Sequence, residues 1–178
     1  KCRNVQTTIQ FNQIEVDTGT YCHRVDEKLK PDKLEGLAQS LAQEGQQTPM
    51  IVIESRTKDK FLLIAGHRRF YGFEQGIKDG LPGFAENMDV TVTILQQGED
   101  QSDKEFEQDV FVRSVSDNEN RAGFDEFEKL KIARMLIERK VQKQRAMSAL
   151  GKTSLKESPS TNRNRVVSSS WSNPTLKT

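Results

Sequence analysis

FLLIAGHRRFYGF, residues 61–73, is the stretch that decides the fold. Phe61 to Ala65 is a continuous apolar run of strand length, and Gly66 ends it. A helix can start at once at His67 and continue to about Ile77, before Gly80-Leu81-Pro82-Gly83 breaks the chain. Upstream lies a second β-branched run, Met50-Ile51-Val52-Ile53-Glu54, and Arg56 to Lys60 makes a polar turn between the two. The pair reads as a largely buried hairpin. The junction at Gly66 also carries chemistry. A helix start offers unbonded N–H groups and a partial positive charge. Glycine lets a ligand approach the backbone, and Arg68 and Arg69 add charged donors. That combination suits a phosphate group. The alternative reading makes both arginines ordinary surface ion-pair partners, although cations in a first turn oppose the helix dipole.

Outward from this junction the chain reads as a mixed α+β protein. Thr7 to Val16 alternates as a strand, and Asp17 to Lys30 is polar and turn-rich. Pro31-Asp32 opens a helix with the stripe Leu34, Leu37, Ala38 and Leu41, closed by Gly45. Val90, Val92 and Ile94 alternate with threonines as a further strand. Glu105 to Ser116 reads as a helix, and a firmer one starts behind Asp125 as N-cap with Glu128 three residues on. A short helix over Gln142 to Leu150 follows. Between the two longer helices, Ser116-Asp117-Asn118-Glu119-Asn120-Arg121 reads as a polar turn. Its oxygen donors are of the kind a Mg²⁺–phosphate complex uses. They are equally the residues that cap a turn.

Composition narrows the function classes. The 178 residues are 34% hydrophobic and 30% charged, with 27 basic and 26 acidic side chains. A uniformly basic nucleic-acid coat is excluded, but a local basic site is not. The apolar run at Phe61 is far short of the ~20 residues a spanning helix needs, so no membrane partner is expected. Two cysteines, Cys2 and Cys22, make no disulfide framework, and His23 beside Cys22 lacks zinc-ligand spacing. A cytoplasmic protein is expected. From Thr153 on, 16 of 26 residues are Ser, Thr, Asn or Pro, including neighbours of the single tryptophan, Trp171. This tail is expected to be disordered. From Gly151 on, five basic residues face one acid. The first 150 residues then hold 22 basic against 25 acidic, so a mildly acidic body carries a basic tail.

Taken together, an arginine at Arg24, LEGLAQSLAQEGQQTPMIVIE, FLLIAGHRRFYGF and DNENRAGFDEFEKLKIARMLIE resemble, in order and spacing, the N-terminal domain of ParB partition proteins. The resemblance covers about Gln6 to Leu150 and lies within the ParB/sulfiredoxin superfamily. The family's Gly-Glu-Arg-Arg motif falls on Gly66-His67-Arg68-Arg69, with His67 in place of glutamate. Its Glu-Asn-x-x-Arg motif falls on Asp117-Asn118-Glu119-Asn120-Arg121, with aspartate in place of glutamate. Thr48-Pro49 falls on its Gln-Pro, and Arg24 on the arginine of a Gln-Pro-Arg element. Sulfiredoxin itself is disfavoured, because Gly66 stands where that family has a nucleophilic cysteine.

The resemblance implies a small mixed sheet with flanking helices, followed by a helical segment. It implies a nucleotide-binding unit over 1–100 and a helical segment over 101–151 that could open a helix-turn-helix, ahead of the polar basic tail that composition marks over 152–178. It also implies a nucleotide-operated clamp on DNA. CTP (or ATP) would bind with Mg²⁺ in a homodimer served by a partition ATPase. Gly66, His67, Arg68 and Arg69 would hold phosphate, with Arg121, Arg24 and Thr48 nearby. Asp117 and Asn118 would bind the metal and support slow hydrolysis. Two other readings stay open on the same fold: a nuclease or ATP-using enzyme, and a non-catalytic transcription or conjugation regulator.

Overall fold

The computed structural model describes residues 1–17, 19–22, 30–122, 124–142, 145 and 148–149, with their side chains except at 31, 33, 35 and 118–122. The expected hairpin is present. β3 (Met50–Glu54) pairs antiparallel with β4 (Phe61–Ala65), with an irregularity between Ile51 and Val52. Before it stand β1 (Arg3–Gln10), β2 (Ile14–Glu15) and α1 (Pro31–Glu44). After it come α2 (His67–Lys78), β5 (Asp89–Gln96), α3 (Asp103–Ala122) and α4 (Glu126–Glu138).

The sheet order is β1-β5-β3-β4-β2, mixed parallel and antiparallel. β1 and β2 are thus consecutive in the chain yet occupy opposite edges. Four strand spacings span about 19 Å in a flat sheet. The four residue steps from Gln10 to Ile14 reach at most about 14 Å. The sheet must therefore curl to bring its edges together. The link is a 3₁₀ turn over Phe11–Gln13, held by reciprocal Gln10–Gln13 side-chain and backbone bonds. Phe11 N–H donates to the Met88 carbonyl at 2.9 Å, and its ring stacks on Phe70 with centroids 4.8 Å apart. This corrects the expected single strand from Thr7 to Val16. The alternation is real, but burying Phe11 against α2 breaks the strand in the middle.

Strand alternation sorts the core into two faces. Met50, Val52, Leu63, Val90, Val92 and Ile94 pack with Leu41 of α1 and with Phe70 and Phe73 of α2. Ile51, Ile64 and Leu95 point the other way, onto Val110 of α3. α1 and α2 approach closely because α2 offers Gly72, where an added Cβ would meet Leu37 and Leu41 at 3.2 Å. Pro31 at the first helical position and Gly45, at φ 74° and bonded to the Leu41 carbonyl, bound α1 as its sequence predicts.

α3 departs from expectation. It runs unbroken to Ala122, so the polar turn expected at Ser116–Arg121 is helix instead. The cap-forming character of Asp117 and Asn118 is overridden by the helix that Phe111 and Val115 anchor in the core with Phe124, Ile132 and Leu136. α4 begins as expected, behind Asp125. Of the short helix expected over Gln142–Leu150, only Gln142, Arg145, Ser148 and Ala149 are described together with Val141 before it. Ala149 is buried on the α3–α4 cluster, and Arg145 bonds to Asp109 of α3. The tail over 152–178 lies outside the described residues.

Candidate anion site at the start of helix α2

β4 ends at Ala65, and Gly66 turns the chain with φ 97° and ψ 22° in the left-handed region. Only glycine takes this conformation readily. A Cβ at Gly66 would also meet Met50 Cγ at 3.1 Å and Arg69 Nη1 at 3.2 Å. α2 follows without a side-chain cap and without an acidic residue in its first turn. Its first intrahelical bond is Phe70 N–H to the Gly66 carbonyl at 3.0 Å. The first turn therefore presents free N–H groups, the positive end of the dipole and two arginines at one place.

The two arginines differ. Arg68 is exposed, and no described residue pairs with it. Arg69 is half-buried, and its Nη1 donates to the carbonyls of Thr48 at 3.0 Å and Pro49 at 2.8 Å. Its guanidinium ties α2 to the segment leading into β3. Gln46 secures the same segment. Its Nε2 donates to the Thr48 carbonyl at 3.0 Å and the Thr91 carbonyl at 2.7 Å, while its Oε1 accepts from Thr91 N–H at 2.9 Å. The Thr48 carbonyl thus receives two donors. Gln46 has no signal in the sequence, because its β5 partner is 45 positions away.

His67, the first residue of α2, is 2% exposed. Among the described residues its Nε2 has no hydrogen-bond partner. Burial lowers the imidazole pKa to about 4, against an opposing pull from Asp17. The ring is therefore neutral at pH 7. Asp17 lies just beyond β2, where its Oδ1 accepts from the N–H groups of Gly19 at 2.9 Å and Thr20 at 3.2 Å. Asp17 also edges a pocket of about 530 Å³ beside the start of α3, with Ile53, Leu62 and Phe106; no residue of the Gly66 turn lines it.

The structure thus gathers Gly66, His67, Arg68, Arg69 and Thr48 at one helix start. Asp117 sits half-buried on α3, where burial raises its carboxyl pKa and Arg113, one turn earlier, opposes the rise. Asn118 and Arg121 belong to the same helix, but their side chains lie outside the described residues, as does Arg24 entirely. Among the described residues no group of three or more His, Cys, Asp or Glu is placed to hold a metal ion. No described helix is long and apolar enough to cross a membrane.

A small curled mixed sheet, with α1 and α2 on one face and α3 on the other, and a strand–glycine–helix turn left open at its end, defines a class of α+β fold. Comparison with known proteins places the chain within that class. Residues 3–100 match the ParB N-terminal domain family, and the chain belongs to that family. Two structures of a pNOB8-like ParB N-domain superpose with TM-scores of 0.53 and 0.51 at 16% and 17% identity. They cover 83% and 78% of this chain but only 50% and 44% of theirs, so this chain spans about half the length of those relatives. The C-terminally truncated chromosome-partitioning protein ParB from Caulobacter crescentus, complexed with CTP-gamma-S, superposes with a TM-score of 0.48 at 17% identity, covering 82% of this chain and 70% of that one. No curated protein sequence matches the chain.

Proposed function

We propose that this chain is the nucleotide-handling part of a ParB-like partition or plasmid-maintenance protein, which binds DNA under the control of a nucleoside triphosphate and Mg²⁺. The observation that carries the reading is the open start of α2. It has no cap and no first-turn acid, and Arg68 is exposed beside its free N–H groups. Such an end is favourable for an anion and unfavourable without one. Membership of the ParB N-terminal domain family supports a CTP-like triphosphate as that anion and a coupling to DNA.

In this reading Arg68 and the Gly66 turn hold the phosphates. Arg69 shapes the cradle through the Thr48 and Pro49 carbonyls. Asp117 and Asn118 face the Mg²⁺ end, with Arg121 and Arg24 in support. Residues 1–100 form the nucleotide unit of a homodimer, residues 101–151 a helical segment that opens a helix-turn-helix, and residues 152–178 a basic tail that meets DNA phosphates. A partition ATPase would be the further partner, and the setting cytoplasmic.

Direct binding measurements with Mg·CTP, Mg·ATP and Mg·GTP test the proposal. The expected result is saturable binding of at least one triphosphate. If none binds to the folded chain, the nucleotide reading fails.

A further inference from the structure

β1 leaves one edge of the sheet open. Its eight residues pair with β5 in an unbroken register, from Arg3 opposite Gln96 to Gln10 opposite Asp89. The residues at its end fix which groups face outward. Phe11 N–H continues on the β5 side and donates to the Met88 carbonyl, whereas Gln10 N–H turns away and donates to Gln13 Oε1. Odd-numbered residues of β1 therefore bond to β5, and the N–H and C=O groups of Asn4, Gln6 and Thr8 point outward. Among the described residues nothing bonds to those outward groups, and all three residues are exposed. Sheet edges are ordinarily blunted by charge, proline, a bulge or shortness. The opposite edge, β2, is two residues long and carries Glu15. β1 has no such device from Asn4 to Gln10, and its one charge, Arg3, is held by Glu99 at 3.4 Å. Val5 on the same strand is an apolar side chain left 42% exposed.

We propose that the β1 edge is an interface with a second copy of this chain, in which two β1 strands pair antiparallel about a two-fold axis at Gln6. An axis perpendicular to the sheet keeps each side chain on its own face, so odd residues oppose odd and even oppose even. With Gln6 opposite Gln6, Asn4 of each copy opposes Thr8 of the other. Every outward N–H and C=O then finds a partner. A register centred on Thr7 would oppose Asn4 with Gln10, whose N–H is already bonded to Gln13, and would leave the Asn4 carbonyl unbonded. In the register at Gln6 no like charges meet. Arg3 opposes Ile9, and Val5 opposes Thr7 in a β-branched pair that covers it. The edge favours its own copy over a foreign peptide, because backbone pairing alone selects no side chains. Neither the pocket beside Phe106 nor the one between α3 and the end of α4 is lined by a β1 residue. The inference rests on the homodimer in the reading above and gives it an interface; it does not involve the anion site.

Sedimentation of wild type and Gln6→Pro over a concentration series tests the interface. Proline fits β1 at this position because the Gln6 N–H is not bonded to β5. Across the two-fold axis it removes both bonds of the central pair. The expected result is self-association of the wild type, with a dissociation constant at least about tenfold larger in the variant. Cross-linking decides the matter if that variant does not fold. In a Cys2→Ser background, with Cys22 buried, Gln6→Cys sets two thiols across the axis. Their Cα atoms lie about 5.5 Å apart, within disulfide reach. Mild oxidation should yield a covalent dimer. Asn4→Cys in the same background should not, because its two copies are offset by about 13 Å along the strands. A dimer that persists in Gln6→Pro, or one that Gln6→Cys fails to cross-link, removes the interface from β1 and leaves the homodimer standing. A wild type that is monomeric both with and without Mg·CTP removes the homodimer as well.

Discussion

The starts of α2 and α4 solve the same physical problem in opposite ways. Each leaves backbone donors that need acceptors. At α4 the chain supplies them itself. Asp125 accepts from Glu128 N–H at 2.8 Å, Glu128 accepts in return from Asp125 N–H at 3.0 Å, and Glu126 adds a second acid to the turn. α3 does likewise through Ser102 and Glu105. At α2 there is a left-handed glycine, no cap, no acid and two arginines. One end is closed by its own sequence; the other is left open. Structural helix starts lose stability when altered. A ligand-directed start loses binding, except where one of its side chains also holds the fold.

The largest expected effect belongs to His67, which sits at the open end yet is fully enclosed. Its folded pKa of about 4 lies below the unfolded value of 6.5. Stability from this group is therefore complete above about pH 6.5 and lost as pH falls through 4, because the unfolded chain takes the proton first. The full span corresponds to roughly 3 kcal/mol. Urea unfolding of wild type and His67→Phe between pH 7.5 and 4 should show a steeper loss for the wild type. Parallel curves would remove His67 from the acid sensitivity.

Arg69→Ala comes next. It strips donors from two carbonyls and is expected to destabilise by about 2 kcal/mol. Arg68→Ala should change stability by less than about 0.5 kcal/mol. Equal effects in urea unfolding would erase the distinction between the two neighbours. Gly66→Ala should lower stability by about 1–2 kcal/mol, from its positive φ and the approach of Met50. Asp125→Ala, at the closed end, should cost about 1 kcal/mol and leave anion binding unchanged. A loss of binding in that variant would contradict the separation of the two ends.

Much of this was legible because its causes are local. The hairpin, the stripe of α1, the stop at Gly45, the turn at Gly66 and the Asp125 cap each depend on residues within one element. The curled sheet was not legible, because Ile14–Glu15 becomes a strand only by pairing with Phe61–Leu62, far along the chain. The continuation of α3 was hidden by Asp117 and Asn118, whose turn-forming tendency is real but weaker than the packing of Phe111 and Val115. At the site, the sequence marks Arg68 and Arg69 alike. Their separation follows from two backbone carbonyls that only the folded chain sets beside Arg69. Gln46 escaped for the same reason.

The central claim is that the start of α2 holds an anion through Arg68 without depending on Arg68 for its shape. Calorimetric titration of wild type and Arg68→Ala with Mg·CTP, run beside urea unfolding of both, tests it most directly. The account predicts unchanged unfolding midpoints and an affinity at least about tenfold weaker in the variant, the loss of one charge-assisted contact. Equal affinities in the two proteins, with both folded, would contradict it.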